Sequence, residues 1–271
     1  MAVVTGASRG VGKGVAIALG GAGMVVYGTG RSTGTPTYPR LGGTVEQTAA
    51  EVTAAGGVGI GVACDHTDDG AVRDLFDRVR RDHGRVDILV NNVWGGYAAY
   101  HEERFADIDG PFWEAPPALW DEMFTAGVRA HYVASALAVP LMGAGGLIAN
   151  VSFFVGSHLT DHSVAYSVAK AADDRMAAMM ARQLADRGVS AVSLYPGLVR
   201  TEGVLLAGDF FDLSNSESPE FTGRAVAALA ADPDLRLLSG QTLVVAELAE
   251  RYGFTDVDGR RPTSLRPTFN G

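Results

Sequence analysis

Ala2-Val3-Val4-Thr5-Gly6-Ala7-Ser8-Arg9-Gly10-Val11-Gly12-Lys13 opens the chain, and its reading decides the rest. Ala2 to Thr5 is a short apolar, β-branched run that suits a buried strand. Gly6, Gly10 and Gly12 follow, and a helical pattern starts near Lys13. Glycine lets the backbone turn sharply and come close to a ligand. The helix N-terminus behind it offers unpaired amides and the positive end of a dipole. Strand, glycine loop and helix together make a cradle for a dinucleotide pyrophosphate. The spacing is Gly-x-x-x-Gly-x-Gly, not the commoner Gly-x-Gly-x-x-Gly. Outside this context the same glycines would read equally well as turn chemistry.

Beyond the opening, short apolar runs alternate with longer helical patterns. The runs cover 2–5, 24–29, 58–63, 86–90, 146–152, 189–195 and 241–246; the helical patterns fall near 13–22, 44–55, 69–83, 117–142, 164–187 and 221–231. Such alternation lays strands side by side in parallel, with helices crossing over between them. The expected fold is α/β: a single Rossmann-type, doubly wound parallel sheet of seven strands with helices on both faces. Residues 1–271 read as one domain, because no linker, repeat or low-complexity tract interrupts the alternation. Ligands of such sheets lie beyond the carboxyl ends of the strands. Two loops there, 91–116 and 196–220, exceed ordinary connections and are expected to line the substrate site.

Bulk properties narrow the class. The chain is 47% hydrophobic with a net charge of −9, which argues against nucleic acid or an anionic membrane as partner. Cys64 is the single cysteine, so neither an intrachain disulfide nor a cysteine-rich metal site can form, and a reducing cytoplasm is expected. No basic-then-apolar leader opens the chain, and no apolar run approaches the roughly 18 residues of a membrane span. His101, His131, His158 and His162 lack metal-ligand spacing, so no metal is expected. Asn150-Val151-Ser152 fits a glycosylation sequon but falls in a run read as a buried strand.

The second strand selects the cofactor. NAD sites place an acid at its end to bind the ribose 2′-hydroxyl. Here the run ends Thr29-Gly30-Arg31-Ser32, with no acid. Arg31 can fork onto a 2′-phosphate, with Arg9 adding a second charge, so NADP is expected, NADPH over NADH. The plain alternative is two solvated arginines. Asp65, after the third run, can accept a bond from an adenine amine or simply close a turn; Asp68 suits a helix cap.

Tyr166 and Lys170 are spaced to share one helix face. A nearby ammonium favours phenolate and draws the tyrosine down from about 10 toward working pH. Such a phenol can exchange a proton with a carbonyl or alcohol oxygen. By itself the pair is common on surface helices; beside a dinucleotide cradle it points to hydride transfer.

These motifs together resemble the short-chain dehydrogenase/reductase family over nearly the whole length. The matching segments are Thr5–Gly12, Asp65, Asn91-Asn92, Tyr166-Ser167-Val168-Ala169-Lys170 and Pro196-Gly197-Leu198-Val199-Arg200-Thr201. Phe112-Trp113-Glu114, Trp120-Asp121, Gly127–Tyr132 and Leu248–Gly259 are similar to the branch called dehydrogenase/reductase SDR family member one. Gly6, Ser8, Arg9, Gly10, Val11 and Gly12, within the matching first segment, are expected to bind the cofactor. The resemblance implies that Tyr166 is the general acid/base and that Lys170 holds the nicotinamide ribose. Asn92 would line the cofactor, and Pro196, Gly197, Val199 and Thr201 would contact its nicotinamide end.

Two positions depart from the family pattern. Gly127 stands where the family commonly has an asparagine that anchors a water near the lysine; the branch resembled shares this glycine. The family serine commonly stands thirteen residues before the tyrosine, where this chain has Phe153. Ser152, one place earlier, is favoured for that role, since a strand end can re-aim it; Ser157 is the alternative.

Trp94, Tyr97, Tyr100, Phe105, Phe112 and Trp113 in one long loop, with Leu205, Leu206, Phe210, Phe211 and Leu213 in the other, suit a bulky apolar carbonyl or alcohol. They would serve equally to pack the loops onto the core. The helix bearing Tyr166 is apolar around much of its girth, through Ala171, Ala172, Met176, Ala177, Ala178, Met179 and Met180. A second apolar face suggests a homodimer or homotetramer. The competing reading is an NADP(H)-binding sensor or scaffold with little turnover, kept open by Gly127 and Phe153.

Overall fold

The β-branched runs become strands: β1 (Ala2–Val4), β2 (Val25–Gly30), β3 (Val58–Ala63), β4 (Ile88–Asn91), β5 (Leu147–Val151), β6 (Ser190–Tyr195) and β7 (Thr242–Val244). They form one sheet in the order β3-β2-β1-β4-β5-β6-β7, parallel throughout. This computed structural model describes residues 1–97, 110–159 and 163–269, so Tyr100, His101, Phe105 and His162 lie outside the described residues.

Helices connect the strands: α1 (Gly10–Gly21), α2 (Val45–Ala54), α3 (Asp69–His83), α4 (Pro117–Phe124), α5 (Ala130–Ala138), α6 (Val164–Leu184), α7 (Glu202–Leu206), α8 (Pro219–Ala231), α9 (Val245–Tyr252) and α10 (Arg266–Phe269). Side chains alternate along β1 and feed two cores. Ala2 and Val4 join Val15 and Leu19 of α1, Phe221 and Val226 of α8 and Leu248 of α9. Val3 joins Leu75 and Phe76 of α3, Ala134 of α5 and Leu184 of α6 on the other face. With both faces covered, the strands read as continuous apolar runs.

Local chemistry sets the helix ends. Thr44 and Gln47 form a reciprocal capping box at α2. Asp68 caps α3 by accepting from Gly70 N at 2.8 Å, and left-handed Gly84 (φ +69°) ends it. α1 and α8 meet backbone to backbone: a Cβ on Gly14 would lie 2.1 Å from the Pro219 carbonyl carbon.

Two differences from the sequence pattern concern boundaries. The helical pattern over 117–142 is broken by a π turn, Thr125–Arg129, centred on Gly127, a widening often found at functional sites. The run 241–246 yields strand only to Val244; Val245, Ala246, Leu248 and Ala249 then bury one face of α9. The chain runs outward from β1 to β3 and returns to β4 on the other side of β1. That reversal opens a crevice above the carboxyl ends of β1 and β4, where the site residues gather.

Candidate active site

The loop from β1 to α1 turns on Gly6 (φ +66°) and Gly10 (φ +56°), both in the left-handed region. A Cβ on Gly12 would lie 2.4 Å from both Asn92 Nδ2 and Gly6 O. Asn92 stitches the loop to the end of β4: its Nδ2 donates to Gly6 O at 3.0 Å and its amide to Thr5 Oγ1 at 3.0 Å. Ser8 is buried behind the turn.

The amide of Gly10, at the start of α1, already holds an anion, the Glu202 Oε2 at 2.9 Å. A carboxylate there marks the position suited to a phosphate oxygen, so the residues present fit the pyrophosphate of a nicotinamide dinucleotide. Arg9 is only 4% exposed. Its Nε donates to Gly42 O at 3.0 Å and its Nη2 to Ser32 Oγ at 2.9 Å. Arg31 is exposed and donates to the Tyr38 hydroxyl at 3.1 Å. The two guanidinium carbons lie 5.5 and 5.9 Å from the Tyr38 ring centre, so both charges stand at the end of β2. Asp65 closes a turn, its Oδ1 accepting from Thr67 N at 3.0 Å and Thr67 Oγ1 at 2.8 Å. Partial burial opposes its ionisation, but the Thr67 bonds and the Arg31 charge prevail and hold it below the usual carboxylate range.

Across the crevice, Ser163 caps α6 by accepting from Tyr166 N at 3.4 Å. One turn on, Lys170 is 6% exposed, and its Nζ donates to Val151 O at 2.8 Å. That ammonium lies 5.9 Å from the Tyr166 ring centre. Trp94, after β4, meets the Tyr166 ring edge-on at 6.1 Å.

A sequence profile of the family described as short chain dehydrogenase matches residues 1–205. The chain belongs to that family. It is an NAD(P)-dependent short-chain dehydrogenase/reductase. It is 42% identical to mouse dehydrogenase/reductase SDR family member 1 over 95% of this chain and 83% of the relative. A short-chain dehydrogenase from Burkholderia cenocepacia in complex with NADP matches its fold with a TM-score of 0.75 at 26% identity, over 90% of this chain and 94% of the other. The angucycline C-6 ketoreductase LanV with bound NADP gives 0.74 at 26% identity, over 90% and 93%.

The remaining positions of this dehydrogenase are less regular. β5 ends at Val151, and Ser152 Oγ donates to Lys170 O at 3.2 Å, itself 3% exposed. Ser157 Oγ lies 2.8 Å from His158 Nδ1 and 3.0 Å from the Tyr195 hydroxyl oxygen. Phe153 turns to the other side, meeting Phe154 and Phe269 edge-on at 5.7 and 5.8 Å. Gly127 is buried, and a Cβ added there would meet nothing within 4 Å beyond its own helix backbone. Val199 pairs with Glu217 in an isolated bridge, and Thr201 caps α7 by accepting from Val204 N at 3.3 Å.

Several groups at the site escaped sequence reasoning. Glu217 is fully buried and accepts the Gly197 amide. Burial, with Asp256 nearby, pushes its carboxyl up to about 8. Glu202 reaches Gly10 from 192 residues away. His131 and Asp173 form a buried pair behind Lys170. Each is an ordinary polar residue in its own segment, and only the fold brings its partner near. Among the described residues, no group of three or more His, Cys, Asp and Glu could hold a metal, and no helix is long and apolar enough to cross a membrane.

Proposed function

We propose that this dehydrogenase interconverts a bulky apolar carbonyl compound and its alcohol, with NADPH preferred over NADH. The observation that carries the reading is the buried Lys170 ammonium, 5.9 Å from the Tyr166 ring centre beside the glycine cradle. A bound reduced nicotinamide supplies hydride to the carbonyl carbon. Tyr166 gives its proton to the carbonyl oxygen, and the Lys170 charge stabilises the phenolate left behind. Ser152 is the favoured second donor to that oxygen. Both hydroxyls are engaged, but Ser152 bonds the backbone of Lys170 itself, at the end of β5, whereas Ser157 sits with His158 and Tyr195.

Cofactor preference rests on Arg31 and Arg9 at the end of β2, and the similar structures that hold NADP support it. Gly6, Ser8, Gly10, Val11, Gly12, Asp65, Asn92, Pro196, Gly197, Val199 and Thr201 complete the proposed cofactor contacts. The ketoreductase with a similar fold favours ketones as the substrate class. Phe112, Trp113, Leu205, Leu206 and Phe210 are each more than half exposed. They are therefore free to meet an apolar substrate. One cytoplasmic domain that pairs through α4 and α6 is the proposed setting.

The test is NADPH and NADH oxidation against a panel of aliphatic, aromatic and polycyclic carbonyls. NADPH-driven turnover that grows with substrate apolar size is the expected result. Tight NADPH binding with no turnover across the panel would favour the sensor or scaffold reading instead.

A further inference from the structure

We infer that His131 and Asp173 are positioning residues that share one proton and thereby keep the charge of Lys170 available to Tyr166. The inference rests on the proton-transfer role proposed above for Tyr166 and Lys170.

Both partners are 1% exposed, His131 on α5 and Asp173 on α6. The Nε2 of His131 lies 3.0 Å from Val93 O, an atom that only accepts, so Nε2 carries hydrogen. Its Nδ1 lies 2.8 Å from Asp173 Oδ1. Lone pairs on both atoms at that distance in a dry site would repel, so a second proton lies between them. Whether it sits on nitrogen or oxygen, the pair is neutral as a unit. The other carboxylate oxygen, Asp173 Oδ2, lies 3.5 Å from Lys170 Nζ. That is ion-pair distance, yet the oxygen has no hydrogen-bond partner.

With the shared proton present, the positive charge of Lys170 is not cancelled, and it favours phenolate at Tyr166. Without the imidazole, Asp173 would be a bare carboxylate beside Lys170. The two charges would cancel at Tyr166, and the phenol would hold its proton more tightly. His131 follows Gly127 by one helical turn, so it brings a polar side chain toward the lysine from a helix whose glycine offers none.

Other titratable groups among the described residues lie near the pair. His66, in the loop after β3, is within electrostatic reach of His131, and burial lowers it to about 4, so it stays neutral. Asp174, the next residue of α6, is engaged by the Tyr195 hydroxyl. From β5, the Asn150 amide donates to the backbone oxygen of Asp173 at 3.2 Å and adds no charge.

A pair that merely clamped α5 to α6 would leave the titration of Tyr166 alone, and this separates the two roles. Tyrosinate ultraviolet absorbance is followed against pH in the full chain without cofactor, each protein minus its Tyr166→Phe counterpart. His131→Gln is expected to raise the Tyr166 midpoint by about one pH unit. His131→Gln/Asp173→Asn, which removes the now unpaired carboxylate as well, is expected to bring the midpoint back to within a few tenths of the starting value. A midpoint unmoved in folded His131→Gln, or left raised in the double variant, overturns the inference. The unmodified chain supplies a measurement independent of folding in the variants. A strongly deshielded proton between His131 and Asp173 is expected in its NMR spectrum at neutral pH, and its absence counts against the pair. None of these readouts needs turnover, so a failure of the proposed activity and a failure of this inference are told apart.

Discussion

At the scale of single residues, the site depends on groups whose charge is set by what buries them. Lys170→Ala removes both the ammonium near Tyr166 and the bond to Val151 O. Turnover is expected to fall at least about a hundredfold, the range of lost acid–base assistance, as read by steady-state NADPH oxidation. Glu217 makes a different prediction. Its folded-state value of about 8 lies above the ordinary 4.5. Between those limits the native chain keeps a proton that the unfolded chain has released, so stability falls as pH rises through that window. Glu217→Gln removes this dependence. Its stability gain over the unmodified chain is expected to grow by up to ~1.4 kcal/mol per pH unit from about pH 4.5 to about 8. Urea denaturation at several pH values measures it, and a pH-independent difference would refute it. Tyr166, Lys170 and the glycines were legible in the sequence because their spacing is local. Glu217 was not: in its own segment, Asn215-Ser216-Glu217-Ser218 reads as a solvated loop. His131 and Asp173 were hidden for a similar reason, since they belong to separate helices and meet only in the fold.

At the scale of elements, the meeting of α7 with the glycine loop is the feature to test. Glu202 occupies the amide of Gly10 at the N-terminus of α1, where a phosphate would compete with it. Glu202→Gln removes the competing charge and is expected to tighten NADPH binding about fivefold, near 1 kcal/mol, by fluorescence titration. Weaker binding would mean that the carboxylate aids the cradle. Arg31→Ala is expected to weaken NADPH at least about tenfold while leaving NADH nearly unchanged, because the proposed partner of that guanidinium is the 2′-phosphate. Equal losses for both cofactors would remove Arg31 from the proposed site. Most elements were legible from alternating apolar runs. The π turn was not, because a helical hydrophobic pattern does not record an inserted residue. α9 was missed because Val245 and Ala246 continue the β-like run of β7 before the spacing turns helical.

At the scale of the whole molecule, the parallel sheet places the cradle from β1, the stitch from β4 and the Tyr166 helix after β5 around one crevice. The outer face of α4, α5 and α6 leaves Trp120, Tyr132, Val168 and Met179 each more than 40% exposed. A groove between them is lined by Phe124, Val128, Ala172 and Met176. Pairing through this face is the proposed assembly. Met179→Asp with Tyr132→Asp is expected to yield a folded monomer by light scattering, and an unchanged oligomer would place the interface elsewhere. The central claim is that Tyr166, charged by Lys170, moves the proton beside a bound nicotinamide. Its most direct test is Tyr166→Phe, with NADPH affinity and carbonyl turnover measured on the same sample. An affinity within about threefold of the unmodified chain is expected, with turnover lower by at least about a thousandfold. Turnover preserved in the phenylalanine variant would contradict it.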